Sequence, residues 1–222
     1  MNDATRCRVC QTDTHTFTDR QLKQVAHRCQ ACLAVFKDSQ HFPTQAQEKA
    51  RYDTHNNTLD SPGYVAFLNQ FIDRAVIPFI THGRCLDYGC GPGPVCVHLL
   101  RERGFDAGGY DPIYAPSLSR FTQTYDLITC TEVLEHVFDP HAVFQTFQTL
   151  THPGSIVAIM TLFVPESNAD YQSWWYRRDE THVGFYHHLS FEVLALQYGF
   201  EIVLYQHPNL ITLRRVADES IR

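Results

Sequence analysis

Basic side chains are scarce in this sequence. Its 222 residues include 18 Lys and Arg against 24 Asp and Glu, so the formal net charge is −6. Proteins that bind nucleic acid regardless of its sequence neutralise phosphates with clusters of Lys and Arg. The acidic balance therefore argues against nucleic acid as a partner.

Long apolar runs and a leader-like start are missing as well. No segment approaches the roughly 18 apolar residues that a membrane-spanning helix needs, and residues 1–4 do not begin a signal peptide. We therefore expect a cytoplasmic protein with no membrane contact. Hydrophobic residues make up 44% of the chain, which is sufficient for the core of one large domain plus a small appendage.

Cysteine, by contrast, is well represented. Four of the eight cysteines form two Cys-x-x-Cys pairs, Cys7 with Cys10 and Cys29 with Cys32, separated by 18 residues. This spacing is typical of two zinc knuckles that close one tetrahedral site. Four thiolates leave no open coordination position, so we predict a structural rather than a catalytic Zn²⁺. Residues 1–42 resemble a zinc ribbon; the alternative is four reduced thiols without a metal.

The composition becomes polar after Pro43, which indicates a domain boundary. We predict a linker over 43–62 that is helical over 45–55. The stretch 52–57 is rich in side chains that form hydrogen bonds. It is either a lid over a bound molecule or a solvated turn that ends the helix.

Three glycines, Gly89, Gly91 and Gly93, alternate directly after an apolar run that ends near Asp87. Such a turn brings the backbone within contact distance of a ligand. A dinucleotide fingerprint would need glycine at the position of Pro94, and no Gly-Lys-Ser/Thr follows as in a P-loop. The spacing therefore argues against both of those sites.

A second acidic residue, Asp111, stands 18 residues beyond Gly93 at the end of the next predicted strand. In that place a carboxylate can accept both hydroxyls of a ribose. A buried strand over 125–131 is then followed by Glu-Val-Leu-Glu-His-Val at 132–137.

The Asp-x-Gly-x-Gly-x-Gly stretch resembles motif I of the class I S-adenosylmethionine-dependent methyltransferases, and the strand ending in 132–137 is typical of their small-molecule members. This resemblance implies an α/β fold with a Rossmann-like sheet and an antiparallel C-terminal hairpin over 63–222. It also implies a set of cofactor-binding residues: Asp87, Gly89, Cys90, Gly91, Gly93, Asp111, Pro112, Thr131 and Glu132.

One stretch departs from the family pattern. Only 14 residues separate Asp111 from Asp126, where the family usually has a helix, a third strand and an acidic residue that contacts adenine. We therefore expect the third strand to be vestigial or absent. Pro112 and Ile113 are the nearest candidates for an adenine contact.

An insertion over 163–190 carries both tryptophans of the chain. We predict that its aromatic and basic residues form the acceptor site; they are Trp174, Trp175, Tyr176 and Arg177. The alternative is that the aromatics pack the insertion onto the sheet while the arginines pair with acidic neighbours.

The predicted reaction moves the methyl of S-adenosylmethionine to a small-molecule acceptor by in-line displacement. His136 is the first candidate for a general base, if one is needed, and His182 is the second. His136 could equally be a helix residue bonded to the backbone. Two other functions stay open: a protein or RNA methyltransferase whose ribbon recruits its partner, and a non-catalytic regulator that binds the cofactor. A Rossmann-like domain without a cofactor is the fourth alternative.

Overall fold

The structure is a computed structural model, and it describes residues 6–54 and 57–217. Its strands are β1 (Thr14–Asp19), β2 (Gln24–Cys29), β3 (Val35–Lys37), β4 (Arg84–Tyr88), β5 (Asp106–Tyr110), β6 (Tyr125–Thr131), β7 (Thr151–Met160), β8 (Gly184–Phe185), β9 (Phe200–Gln206) and β10 (Leu210–Arg215). Its α-helices are α1 (Gln45–Tyr52), α2 (Pro62–Phe71), α3 (Val95–Glu102), α4 (Pro140–Leu150), α5 (Asn168–Ser173) and α6 (His188–Gln197).

The larger sheet has six strands in the order β5-β4-β6-β7-β10-β9. β5, β4, β6 and β7 run parallel, and β10 and β9 are antiparallel additions at one edge. The predicted Rossmann-like sheet with an antiparallel end is confirmed. The segment between β5 and β6 holds a short 3₁₀ turn, Leu118–Thr122, and no strand, so β5 is the edge strand as expected.

Local sequence explains where the helices begin. Thr44 and Gln47 form a reciprocal capping box at the start of α1. The Asp139 carboxylate accepts from two backbone N–H groups of the first turn of α4, with Pro140 as the first helical residue. Within 6–54 and 57–217, no helix is both long and apolar enough to cross a bilayer.

The smaller sheet has four strands in the order β1-β2-β3-β8. β1, β2 and β3 belong to the predicted ribbon, whereas β8 comes from the insertion that was predicted to form the acceptor site. β8 pairs antiparallel with β3, with Val35 opposite Phe185. The insertion is therefore part of the ribbon's sheet.

The four ribbon cysteines converge beside this sheet. Their sulfur atoms all lie within 4.8 Å of one another, and Sγ of Cys10 is 3.3 Å from Sγ of Cys29. Backbone N–H groups of Val9 and Cys32 point at Sγ of Cys7 and Cys29 over 3.3 and 3.4 Å. A tetrahedral zinc ion with bonds of about 2.3 Å places its sulfur ligands about 3.8 Å apart. The cluster fits a structural zinc ion in donor type and spacing.

A buried ion pair joins the insertion to the ribbon. Arg177 is fully buried, and its Nε lies 2.7 Å from Oδ2 of Asp19, which ends β1. The guanidinium also donates to Oε1 of Gln21 over 3.0 Å. The prediction that Arg177 contacts the acceptor is therefore corrected. Its charge is used inside the protein, because Asp19 is buried and needs a cation.

We expect Arg177→Met to lower the free energy of unfolding by about 3 to 5 kcal/mol, because it leaves the Asp19 carboxylate buried without its partner. Urea unfolding of the full chain measures this change. Arg178→Met is the matched control, since Arg178 is exposed, and it should change stability by no more than about 0.5 kcal/mol. Equal effects of the two substitutions would contradict the assignment.

Metal analysis of the purified protein should find one zinc ion per chain. Cys29→Ser should abolish it, because three thiolates and a hydroxyl bind zinc far more weakly. Cys90→Ser removes a thiol outside the cluster and should leave the zinc content unchanged. A folded wild-type chain without metal would refute the zinc assignment.

Candidate functional site

The glycine turn between β4 and α3 is held in place from two sides. The backbone N–H groups of Gly89 and Cys90 both donate to the carbonyl of Tyr110 at the end of β5, over 2.7 and 3.0 Å. Gly89 has a φ of +83°, and a Cβ there would collide with the side chain of Val133. A Cβ on Gly93 would collide with the backbone oxygen of Asn57. Both positions require glycine because of close packing around the turn.

Asp87 lies under this turn at the end of β4 and is almost completely buried. The Thr129 hydroxyl donates to its Oδ1 over 2.8 Å. Burial raises the pKa of the Asp87 carboxyl to about 6. The carboxyl is therefore a positioned polar group at the floor of the turn.

Asp111 connects the glycine turn to the loop after β5. Its Oδ2 accepts from the N–H of Gly91 over 3.1 Å, and its Oδ1 accepts from the N–H groups of Ile113 and Tyr114 over 2.8 and 2.9 Å. The Tyr114 hydroxyl in turn donates to Asp53, directly after α1, over 2.7 Å. The carboxylate therefore fixes the shape of two loops, and lone pairs beyond these three bonds stay available to a ligand.

Two glutamates stand at the end of β6. Glu132 has a φ of +54°, and its N–H donates to the carbonyl of Met160 over 2.8 Å. Such a conformation is strained for a residue with a side chain and is enriched at functional sites. Burial, followed by the charge of Glu135, raises the pKa of Glu132 to about 8.

Glu135 is fully buried beneath the same edge. The Tyr176 hydroxyl donates to its Oε1 over 2.5 Å, and the Thr161 hydroxyl donates to its Oε2 over 2.9 Å. The Tyr176 oxygen also lies 3.1 Å from Oε2 of Glu132. Tyr176 therefore contacts both carboxyl groups from inside the protein.

His136 and His182 lie beside these carboxyls, with their rings 4.7 Å apart and close to perpendicular. Nδ1 of His136 lies 3.1 Å from the carbonyl of Thr181, and Nδ1 of His182 lies 2.8 Å from the carbonyl of Tyr176. A carbonyl oxygen only accepts, so each Nδ1 carries a proton, and the neutral form of each ring then has its lone pair on Nε2. Burial lowers the pKa of His182 to about 4, which keeps it neutral at pH 7.

These groups border one cavity of about 740 Å³, a size common for small-molecule sites. Its wall includes all nine residues predicted to bind the cofactor, together with His136 and His182. The individual roles of these residues stay predictions. None of the four predicted acceptor residues lies in the wall.

The structure places the four residues predicted to form the acceptor site outside the wall of the cavity. Trp174 packs against Tyr171 and Phe185, and Trp175 is 65% exposed on the surface. Tyr176 reaches the site only from behind, through its hydroxyl. Trp174, Tyr171 and Phe185 pack the insertion against the ribbon. The packing alternative raised from the sequence agrees with this for Trp174 only, since Trp175 is exposed and Arg177 pairs with Asp19 and not with a neighbouring acidic residue.

Other residues line the cavity that were not predicted to. Glu48 and Tyr52 come from α1, and Tyr64 and Phe67 come from α2. Of these four residues, only Tyr52 belongs to the stretch 52–57 that was interpreted as a lid or a turn. Tyr52 supports the first interpretation, since its ring meets His136 edge-on at 5.2 Å. Residues 55 and 56 of that stretch lie outside the described residues.

Residues 62–205 match the family model described as a methyltransferase domain. The chain belongs to this family. The resemblance to class I S-adenosylmethionine-dependent methyltransferases, predicted from the glycine turn and from 132–137, is thereby confirmed.

Among curated relatives, the chain is 30% identical over 114 residues to a ubiquinone biosynthesis O-methyltransferase of Salmonella newport (strain SL254). The match covers 41% of this chain and 45% of the relative, so the chain spans about half of that protein.

Solved structures share the fold at low identity. Magnesium protoporphyrin IX methyltransferase from Synechocystis PCC 6803, with bound SAH, aligns with a TM-score of 0.53 at 14% identity, over 78% of this chain and 88% of its own. An O-methyltransferase family protein from Burkholderia thailandensis aligns with a TM-score of 0.55 at 12% identity, over 80% of this chain and 65% of its own.

The geometry of the cavity in this chain suits S-adenosylmethionine. A Cβ on Gly91 would meet no atom within 4 Å, so the turn presents bare backbone to open space. Asp111 offers carboxylate lone pairs beside it for ribose hydroxyls. The bound cofactor would supply a methyl group on a positively charged sulfur.

Asp111→Asn should weaken S-adenosylmethionine binding about tenfold or more, since a lost hydrogen bond to a charged group is worth about 1.5 to 3 kcal/mol. The side-chain amide that this substitution introduces would also point an N–H group at the backbone N–H of Gly91, and two donors cannot form a hydrogen bond. Calorimetry measures the dissociation constant. Asp106→Asn, at the exposed start of β5, is the control and should bind like the wild type. Equal affinities of the two variants would contradict the role of Asp111.

Proposed function

We propose that this protein transfers the methyl group of S-adenosylmethionine to a small-molecule acceptor by in-line displacement. The observation that carries the proposal is the shared cavity: the glycine turn and Asp111 border it together with the bare Nε2 atoms of His136 and His182. One enclosed space can therefore hold donor and acceptor in line. The O-methyltransferase identity of the Salmonella relative supports a hydroxyl as the group that accepts the methyl.

The chemistry of the wall indicates the class of acceptor. The lining residues that the structure describes include carboxyl groups and aromatic rings but neither Lys nor Arg. An acceptor carrying a carboxylate or phosphate would find no Lys or Arg side chain there and would meet the carboxyl groups of Glu135 and Asp111. We infer a neutral or cationic acceptor with an apolar body, packed against rings such as Tyr64, Phe67 and Phe138.

The acceptor hydroxyl must lose its proton as the carbon–oxygen bond forms. His136 and His182 are the groups we assign to this step, because their tautomers are fixed by backbone carbonyls and their Nε2 lone pairs are free to accept. The neutral state of His182 at pH 7 supports this assignment. The new bond forms between the acceptor oxygen and the methyl carbon, and the electron pair of the carbon–sulfur bond stays on sulfur.

His136→Gln should reduce turnover about 100-fold or more, as expected when a general base is lost, while cofactor affinity stays close to that of the wild type. Labelled S-adenosylmethionine with pools of neutral, cationic and anionic metabolites provides the acceptor screen, and calorimetry provides the affinity. His141→Gln is the control, because His141 lies outside the cavity wall, beside the Tyr198 hydroxyl. Labelling confined to proteins or RNA would contradict the proposal, as would cofactor binding without transfer to any pool.

A further inference from the structure

A second cluster of side chains that can bind a metal consists of Glu135, His136 and His182. Its ligand atoms are nitrogen and oxygen, whereas those of the four cysteines are sulfur. One ring nitrogen of each histidine and one carboxylate oxygen of Glu135 lie within 4.8 Å of one another. Nε2 of His136 is 4.0 Å from Oε1 of Glu135. Bonds of about 2.1 Å place the ligand atoms of one ion about 3 to 3.4 Å apart, so small side-chain movements close the set.

The surroundings of the cluster orient all three side chains. Both histidines donate from Nδ1 to backbone carbonyls, which leaves Nε2 as the ligand atom. Hydroxyls of Thr161 and Tyr176 hold the Glu135 carboxylate. Histidines that bind metals almost always have such an outer partner on the second nitrogen, and metal-binding carboxylates are hydrogen-bonded in the same way.

The charge of the cluster is the second and independent observation. Glu135 is fully buried, yet no Lys or Arg among the described residues forms an ion pair with it or with Glu132. Two further carboxyl groups are buried: Asp19 is paired with Arg177 at 2.7 Å, whereas Asp87 accepts from the Thr129 hydroxyl and its pKa is raised by burial. A buried carboxylate generally requires a cation or a metal. Glu135 has the Nε2 lone pairs of His136 and His182 beside it instead of a guanidinium, and these lone pairs can bind a metal ion.

We propose that Glu135, His136 and His182 bind one divalent first-row transition-metal ion. Two imidazoles and one carboxylate suit manganese, iron, cobalt or zinc, whereas Mg²⁺ and Ca²⁺ prefer oxygen ligands alone. Three protein ligands leave coordination positions open towards the cavity, unlike the closed cysteine site.

The catalytic consequence rests on the proposed function, whereas the binding site itself does not. An acceptor oxygen in an open position would be oriented by the ion and would ionise more readily. With the ion bound, both Nε2 atoms are ligands and the acceptor proton would pass to solvent; the general-base role assigned above belongs to the metal-free protein.

The test is a titration with Mn²⁺ of the full-length protein that carries one zinc ion per chain, the number that the four cysteines bind. Electron paramagnetic resonance measures the free Mn²⁺. Manganese prefers nitrogen and oxygen ligands, so it reports on this cluster and not on the cysteines. We expect one Mn²⁺ per chain. His136→Gln and His182→Gln should each weaken its binding at least tenfold, in line with the loss of one ligand.

His98→Gln is the matched control, because His98 also stands beside a carboxylate, Glu102 at 3.2 Å, but on the exposed face of α3. It should bind Mn²⁺ like the wild type. No binding to the wild type, or equal binding to the wild type and both cluster variants, would overturn the proposal. Because His136 is partly exposed, its variant keeps the test valid if the His182 variant fails to fold.

Methyl transfer separates this proposal from the proposed function. Specific Mn²⁺ binding without transfer to any acceptor would leave the metal site standing and remove the proposed function. Methyl transfer at the full rate by a protein that binds no Mn²⁺ would remove the metal site and leave the proposed function standing.

Discussion

The pairing of β3 with β8 is the interaction on which the rest of the structure depends. β8 begins two residues after His182, so the ribbon's sheet continues almost to the cavity. The carbonyl of Val183 accepts from the N–H of Lys37 in β3 over 3.0 Å, and the N–H of Val183 donates to the carbonyl of Glu135 over 2.7 Å. A single residue therefore connects the ribbon to the turn that carries Glu135 and His136.

Further contacts reinforce this connection. The buried Arg177–Asp19 pair holds the middle of the insertion, and the Ser190 hydroxyl at the start of α6 donates to the carbonyl of Cys32 over 2.8 Å. Phe42 stacks on Phe138 at the cavity rim with ring centres 4.7 Å apart. The ribbon is thus a wall that supports the site from behind. A zinc ion on the four cysteines would give this small sheet the stability that its few apolar residues cannot supply.

The sequence predicts the donor half of the site well because the requirements there are local. Gly89 and Gly93 are dictated by close packing of the turn, and Asp111 follows from the position of a strand end. The missing third strand could also be predicted, since 14 residues between Asp111 and Asp126 do not suffice for a helix and a strand.

The acceptor half could not be predicted in this way, because it depends on contacts between distant segments. Arg177 is directed inward by Asp19, 158 residues earlier, and Tyr52 reaches His136 from a segment that reads as a polar linker. The domain limits 1–42, 43–62 and 63–222 stay predictions, and the strand exchange through β8 shows why a simple cut after residue 42 describes the fold only in part. Such contacts depend on pairs of residues far apart in the chain, so no single stretch of sequence predicts them.

Hydrogen exchange tests the central claim, that the ribbon holds the histidine end of the cavity, most directly. The full chain would be compared with and without zinc, the metal being removed by a chelator under reducing conditions. We expect zinc removal to speed exchange in peptides covering 179–187 and 133–137, while β4 and β6 keep their protection. Unchanged exchange at 179–187 in a protein shown to have lost its zinc would contradict it.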